Sequence, residues 1–317
     1  MLSSFRPPLA LTLADIGVTV SLGVILLGLA WLLYRAIKGR EVERRVIFLF
    51  IFVAVSAPII FPIKFTETPT LVVKAVFDKM ESLPPGSRVL LSYDFDPAMA
   101  PEVQPMADAL TRHALAKGHR IIYMCLFATG QGQMTRTFER VITPEFPEVV
   151  DGKDYVNFGY KAGNEGVLNV IITDFKKMFP TDVNGVPYDS IQIMKDVHSV
   201  KDVDFIVSIG GGRPGIKEWV LFVADPGDVP TAGGVAAVVA PQLYPYYPNQ
   251  LLGILGGVKG AAEYESELVR HYPRFTDSEA AGLRMMGPQT MAHIVVMAFI
   301  IIGNVLYFRH QRGQDTK

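Results

Sequence analysis

Two aspartates one residue apart, Asp94 and Asp96 in "YDFDPAMAPE", are the strongest chemical pattern in the chain, and Glu102 follows shortly after them. They close "RVLLSYDF" (88–95), an apolar run that reads as a β-strand. Alternation along a strand places both carboxylates on one side of its end. Two carboxylates there can hold a hard cation such as Mg²⁺ or Ca²⁺ through oxygen ligands. One of them can instead act as nucleophile or base. The competing role is structural: Asp96 caps the helix that follows, and Asp94 accepts from loop amides.

A second pattern is "SIGGGRPG", where Gly210, Gly211 and Gly212 precede Arg213 at a strand-to-helix turn. Backbone N–H groups at such a turn, beside a fixed positive charge, suit an anion or a carboxylate. A simple tight turn is the alternative. No G-K-[ST] follows, so this is not a Walker A loop, and the turn is not expected to be a G-x-G-x-x-G dinucleotide loop either, so no nucleotide is indicated. Lys161 and Asn164 in "GYKAGNEG", and Tyr244 in "PQLYPYYPNQ", stand at other strand ends and join the candidate ligand-binding set.

Several chemistries are missing from the sequence. It has no G-x-S-x-G elbow, no H-E-x-x-H and no paired cysteines for zinc. Its six histidines are scattered, and the single cysteine, Cys125, lies in the apolar run "RIIYMCLF". One cysteine allows no internal disulfide. A net charge of −1 points to no nucleic-acid partner.

The elements that must position these residues alternate between strand and helix. Strands are expected at 88–95, 120–127, 154–160, 203–212 and 234–242. Helices are expected at 101–118, 132–142, 165–179 and 214–224, with an irregular insertion or lid over 181–202. Near-continuous apolar strands fit a sheet buried on both faces. The expected fold is therefore α/β, with a doubly wound, mainly parallel five-stranded sheet of flavodoxin-like or Rossmann-like type. Ligands of such sheets bind beyond the carboxyl ends of the strands.

"LLGILGGVKG" (251–260) reads as part of a last helix spanning about 249–272. It is too short an apolar run to cross a bilayer. In a helix, Gly253, Gly256, Gly257 and Gly260 form one smooth stripe. Four helix-interior glycines cost on the order of 4 kcal/mol against alanine, so close backbone contact should offset them. That contact is either with the helix's own sheet or with a neighbouring subunit.

Three further runs are apolar with very few charges: 16–34, 46–63 and 290–308. At 1.5 Å per residue, each is long enough to cross a bilayer core of about 30 Å. Arg35, Lys38, Arg40, Arg44 and Arg45 fill the loop between the first two, and Arg309, Arg312 and Lys317 follow the third. Lys64 and Arg284 are the nearest basic residues on the other side. The positive-inside rule then puts the N-terminus outside, the C-terminus in the cytoplasm and the main domain outside the cytoplasm. The expected organisation is a two-helix transmembrane hairpin (1–65), an extracytoplasmic α/β domain (67–286), and a third transmembrane helix with a cytoplasmic tail (287–317). With no N-x-S/T sequon and no disulfide, a prokaryotic plasma (inner) membrane is the expected location.

The sequence thus favours a multi-pass membrane protein whose α/β domain binds a ligand or partner and assembles without catalysis. Its partners would be the lipid bilayer and a homo-oligomer or membrane complex. The alternative is a membrane-anchored hydrolase using Asp94 and Asp96 with a divalent metal.

Overall fold

A computed structural model describes residues 27–35, 43–61, 67–276 and 280–314, together with positions 23, 25 and 38. The chain divides into two compact units, Met1–Phe65 with Arg284–Lys317, and Thr66–Leu283.

The second unit is built on six parallel strands: β1 (Arg88–Asp94), β2 (Arg120–Cys125), β3 (Tyr155–Tyr160), β4 (Phe205–Gly210), β5 (Thr231–Val235) and β6 (Ile254–Gly256). They lie in the order β3-β2-β1-β4-β5-β6. This is the doubly wound order whose direction reverses between β1 and β4. In the register there, Val89 sits opposite Phe205 and Asp94 opposite Gly210. The strands are apolar because both faces are covered. Val89, Leu91 and Tyr93 join the core on one face, and Leu90 joins the core on the other.

Helices α1 (Arg44–Ile60), α2 (Leu71–Ser82), α3 (Ala100–Ala116), α4 (Gly130–Thr137), α5 (Glu165–Ile171), α6 (Ile216–Trp219), α7 (Gly257–His271) and α8 (Ala281–Gln314) complete the framework. On one face of the sheet, Phe77 of α2, Met106 and Leu110 of α3, Met134 of α4 and Tyr264 of α7 share a single core. Helix α3 opens with Pro101 and Glu102 in its first turn, where a missing N–H and a negative charge are both favourable. Gly118, at φ +71°, turns the chain after it. On the other face, Val167, Leu168 and Ile171 of α5 pack with Trp219 of α6. Tyr188, Ile193, Met194 and Val200 of the 181–202 segment belong to this core too. That segment holds three short 3₁₀ turns, packed onto the sheet through these residues.

The sheet differs from expectation at its far edge, with six strands instead of five. Strand β5 is "TAGGV" (231–235), ahead of the expected 234–242, and residues 236–239 are already loop. Its glycines leave room for the helices: a Cβ on Gly233 would meet Ile216 at 3.0 Å, and one on Gly234 would meet Met106 Sδ at 3.2 Å. The expected helix over 249–272 starts only at Gly257, because 254–256 pair with β5 as β6. The glycine stripe is therefore not one helical face. Gly253 precedes β6, Gly256 ends it, Gly257 turns the chain at φ +60°, and Gly260 alone lies within α7. All four meet neighbours of their own unit. A Cβ on Gly253 would lie 2.4 Å from the Val72 carbonyl oxygen, and one on Gly256 3.1 Å from Ala240 Cβ. One on Gly257 would lie 2.7 Å from Ala237 Cβ, and one on Gly260 2.8 Å from the Leu255 carbonyl carbon. The expected helix over 165–179 is likewise split, into α5 and a short turn at Phe175–Met178.

Helix α7 also fastens both ends of this unit. The Glu263 carboxylate accepts from the Thr70 backbone N–H at 2.9 Å and from its hydroxyl at 2.7 Å. Ser266 Oγ donates to the Glu67 carbonyl at 2.8 Å. At the other end, Glu265 Oε2 accepts from the Leu283 N–H at 2.9 Å. Gly282 lies so close to α7 that a Cβ there would come within 2.9 Å of the Ala262 nitrogen.

In the first unit, residues 27–35 are helical, and Ile25, Ala54 and Val295 pack together as its buried centre. Most of the remaining large apolar side chains point outward, among them Leu27, Phe48, Phe52, Ile300 and Ile301. Among the described residues, one helical stretch rather than three is long and apolar enough to cross a membrane, Ala281–Phe308. The second expected span forms the 17-residue helix α1. Much of the first, and Lys64, lie outside the described residues.

Candidate functional site

The carboxyl ends of β1 and β4 meet at the reversal of strand order, and Asp94 sits there fully buried. Its carboxylate accepts four donors. These are Ser92 Oγ (2.8 Å), the Leu126 N–H (2.8 Å), the Trp219 indole N–H (2.9 Å) and Ser208 Oγ (3.1 Å). A carboxylate has about four lone-pair sites, so Asp94 is filled by the protein itself. Its partners come from β1, the end of β2, β4 and α6, which it ties together. Burial pushes its pKa up to about 6, opposed by these hydrogen bonds. The burial cost exceeds the gain from the donors.

Asp96 braces the turn ahead of α3, whose N-cap position, Met99, has no side-chain cap. Its Oδ1 accepts from the Met99 N–H at 3.0 Å, just ahead of α3. Glu102 reaches the other way, its Oε2 accepting from the Ala237 N–H at 2.8 Å in the loop after β5. The three acids of "YDFDPAMAPE" thus brace three different joints. Among the described residues, no group of three or more His, Cys, Asp or Glu side chains is placed to hold a metal ion.

The glycine turn after β4 lines a cavity of about 300 Å³ between the β4 and β5 ends. Gly210, Gly211, Gly212 and Arg213 are all on its surface. The spacing of Gly210, Gly212 and Gly215 is that of G-x-G-x-x-G, a pattern that can seat a pyrophosphate after a strand. In this fold each glycine answers an internal contact. A Cβ on Gly210 would lie 2.2 Å from the Asp94 carbonyl oxygen. One on Gly212 would strike the Phe127 ring at 2.7 Å, and one on Gly215 would lie 2.8 Å from the Gly212 carbonyl oxygen. Met99 crowds Gly211 in the same way, at 2.9 Å. The crevice between β1 and β4 is therefore filled by Met99 and Phe127, and the opening is displaced one strand over.

Arg213 is mostly solvent-exposed. Its Nε lies 3.1 Å from Glu218 Oε1 and 3.3 Å from Glu165 Oε1, which links the β4 turn to the start of α5. The buried Glu218 also accepts from the Gly215 N–H at 2.8 Å. Lys161 and Asn164 stand apart from the cavity at the β3 end. The Lys161 ammonium lies 5.6 Å from the Phe179 ring centre, and Asn164, at φ 48°, precedes α5. Tyr244 is half exposed beside the cavity, whose wall its neighbour Leu243 forms.

Sequence reasoning missed Ser92, Ser208 and Trp219 as partners of Asp94, and Lys217 and Gln242 as cavity residues. The glycine turn does have G-x-G-x-x-G spacing, contrary to the expectation from sequence, but that pattern points to none of these residues. A second buried polar cluster lies between α2, α3 and α7. There His113 meets Tyr264 Oη at 2.6 Å and Glu81 Oε1 at 3.1 Å. Burial drives the His113 pKa down to about 4 despite Glu81. This imidazole is neutral and structural at ordinary pH. No protein-family model matches the chain, and no curated protein matches it in sequence.

Proposed function

We propose that the chain is a membrane-anchored, non-catalytic module whose α/β unit binds a ligand or partner at the carboxyl edge of its sheet and assembles with further copies. The observation that carries this reading is the contrast at that edge. At that edge the strongly perturbed acid, Asp94, has its acceptor sites taken by four protein donors, whereas the cavity beyond β4 and β5 is open. A buried acid that spends its oxygens on its own fold is a poor nucleophile or metal ligand. No contact favours the alternative of a hydrolase using Asp94 and Asp96.

The anchoring half of the proposal rests on three apolar segments meeting at Ile25, Ala54 and Val295, with other large apolar side chains left facing outward. That pattern suits lipid as the surrounding solvent. The basic residues at 35–45 and 309–317 set the orientation, with the C-terminus in the cytoplasm and the α/β unit outside it, in a plasma membrane. A reporter active only in the cytoplasm should work when fused after Lys317 and stay silent when inserted at Gly185. The reverse pair of results overturns the topology. Titration of the full-length protein with Mg²⁺ and Ca²⁺ separates the two functional classes. A bound cation that is lost in Asp96→Ala would favour the hydrolase.

A further inference from the structure

Of the two cationic side chains that line the cavity after β4, one meets carboxylates and the other meets none among the described residues. Two cationic side chains, Arg213 and Lys217, line it against one carboxylate, Glu218. Glu218 is fully engaged, with Gly215 N–H on Oε2 and Arg213 on Oε1. Arg213 has a second carboxylate in Glu165. Lys217 has none. Among the described residues its ammonium meets only the neutral Gln242 Oε1, at 3.1 Å. The residue is partly buried, and its ammonium reaches solvent beside Gln242. The facing wall is apolar, formed by Ile216, Val235, Val239 and Leu243.

We infer that this cavity takes a small organic monoanion, a carboxylate on a short apolar chain, with Lys217 as its counter-charge and the Val235–Leu243 wall holding the chain. The volume sets the size. At about 30 Å³ per water-sized volume, 300 Å³ admits roughly ten non-hydrogen atoms, at the small end of ligand pockets. The charge sets the valence: one unpaired cation selects one negative charge. The apolar wall separates this ligand from inorganic phosphate, which would leave it dry and unused. Filling of the β1–β4 crevice by Met99 and Phe127 separates it from a dinucleotide, which needs that crevice. This inference rests on the binding-module reading only in taking the cavity as the ligand site. Topology and assembly are read independently of it.

The test uses full-length protein in lipid nanodiscs, with hexanoate, its neutral isostere hexanamide, inorganic phosphate and AMP as probes. Binding is followed by calorimetry and by the shift in Tm. Hexanoate should bind at millimolar concentration, and the other three should bind at least about tenfold more weakly. Lys217→Gln should weaken hexanoate about tenfold, as expected for one charged hydrogen bond, while Lys217→Arg retains it. Val239→Trp should abolish binding by filling the wall, with circular dichroism confirming the fold of each variant. Equal binding of hexanamide, unchanged affinity in Lys217→Gln, or no hexanoate binding would each overturn the proposal. Phosphate or AMP binding as well as hexanoate would also overturn it, and AMP would return the glycine turn to a nucleotide role.

Discussion

Replacing Asp94 by alanine should destabilise the α/β unit more at low pH than at neutral pH. The reason lies in two opposing terms. Alanine strands the Leu126 N–H and the Trp219 indole N–H, which cannot turn elsewhere, whereas the Ser92 and Ser208 hydroxyls can rotate. Two buried unsatisfied donors cost about 2–6 kcal/mol together. Against this stands the cost of the buried charge. Burial raises the Asp94 pKa from 3.8 to about 6, so the native state holds its proton more tightly than the unfolded chain. The parent therefore loses stability as pH rises from about 4 to about 6, by roughly 3 kcal/mol, and no more above that. Alanine removes that loss. The difference between parent and Asp94→Ala should be the full 2–6 kcal/mol near pH 4, and roughly 3 kcal/mol smaller near pH 7.5. Urea midpoints read from far-UV circular dichroism at the two pH values, in detergent, measure it. A difference that grows with pH would mean Asp94 has a depressed pKa, as an ion-paired or metal-held carboxylate would. That outcome, or a variant as stable as the parent at pH 4, would refute the structural role assigned to Asp94.

Glu265 offers a parallel case. It is buried, its Oε1 has no hydrogen-bond partner among the described residues, and its pKa is pushed up from 4.5 to about 7 by burial. Stability should fall across that window by roughly 3 kcal/mol, and Glu265→Gln should flatten this part of the pH profile of urea midpoints. Gly257→Leu should destabilise the protein more than Leu251→Ala, because it combines a left-handed φ with a Cβ 2.7 Å from Ala237. Leu251→Ala should cost about 2–5 kcal/mol, and thermal unfolding of the two variants ranks them. If Gly257→Leu keeps the parent Tm, the close contact to Ala237 does not matter.

β1, β2 and β4 were legible because each is a near-continuous apolar run closing on polar or glycine residues, the signature of a strand buried on both faces, and β3, "YVNFGY", was legible from its aromatic and β-branched residues despite Asn157 and Gly159. Strand β5 was misplaced because "TAGGV" contributes two glycines where a strand pattern needs branched side chains, while the more apolar "GVAAVVA" beside it is largely loop. Strand β6 is three residues long, below any readable period, and its flanking glycines happen to fall at helical spacing. At the site, structural roles for Asp96 and Asp94 were visible, although Asp96 accepts within the turn before α3 and does not cap the helix itself. What decides Asp94 is Trp219, 125 positions away, brought in by packing that no local pattern encodes. Lys217 was hidden for a related reason: an unpaired charge is a property of a neighbourhood, not of a residue.

Both ends of the α/β unit are fastened to α7, through Glu263 and Ser266 at one end and Glu265 at the other. A pull on the two ends of such a unit is borne first by side-chain clamps on one helix, a few residues apart, before any force reaches the sheet. The six strands carry no load until those clamps open. The same arrangement makes the unit an insert in the topological sense. The chain returns to the helix that holds its point of departure, so segments between α2 and α7 can lengthen or shorten without changing the spacing of the ends, provided α7 and its clamps stay in place.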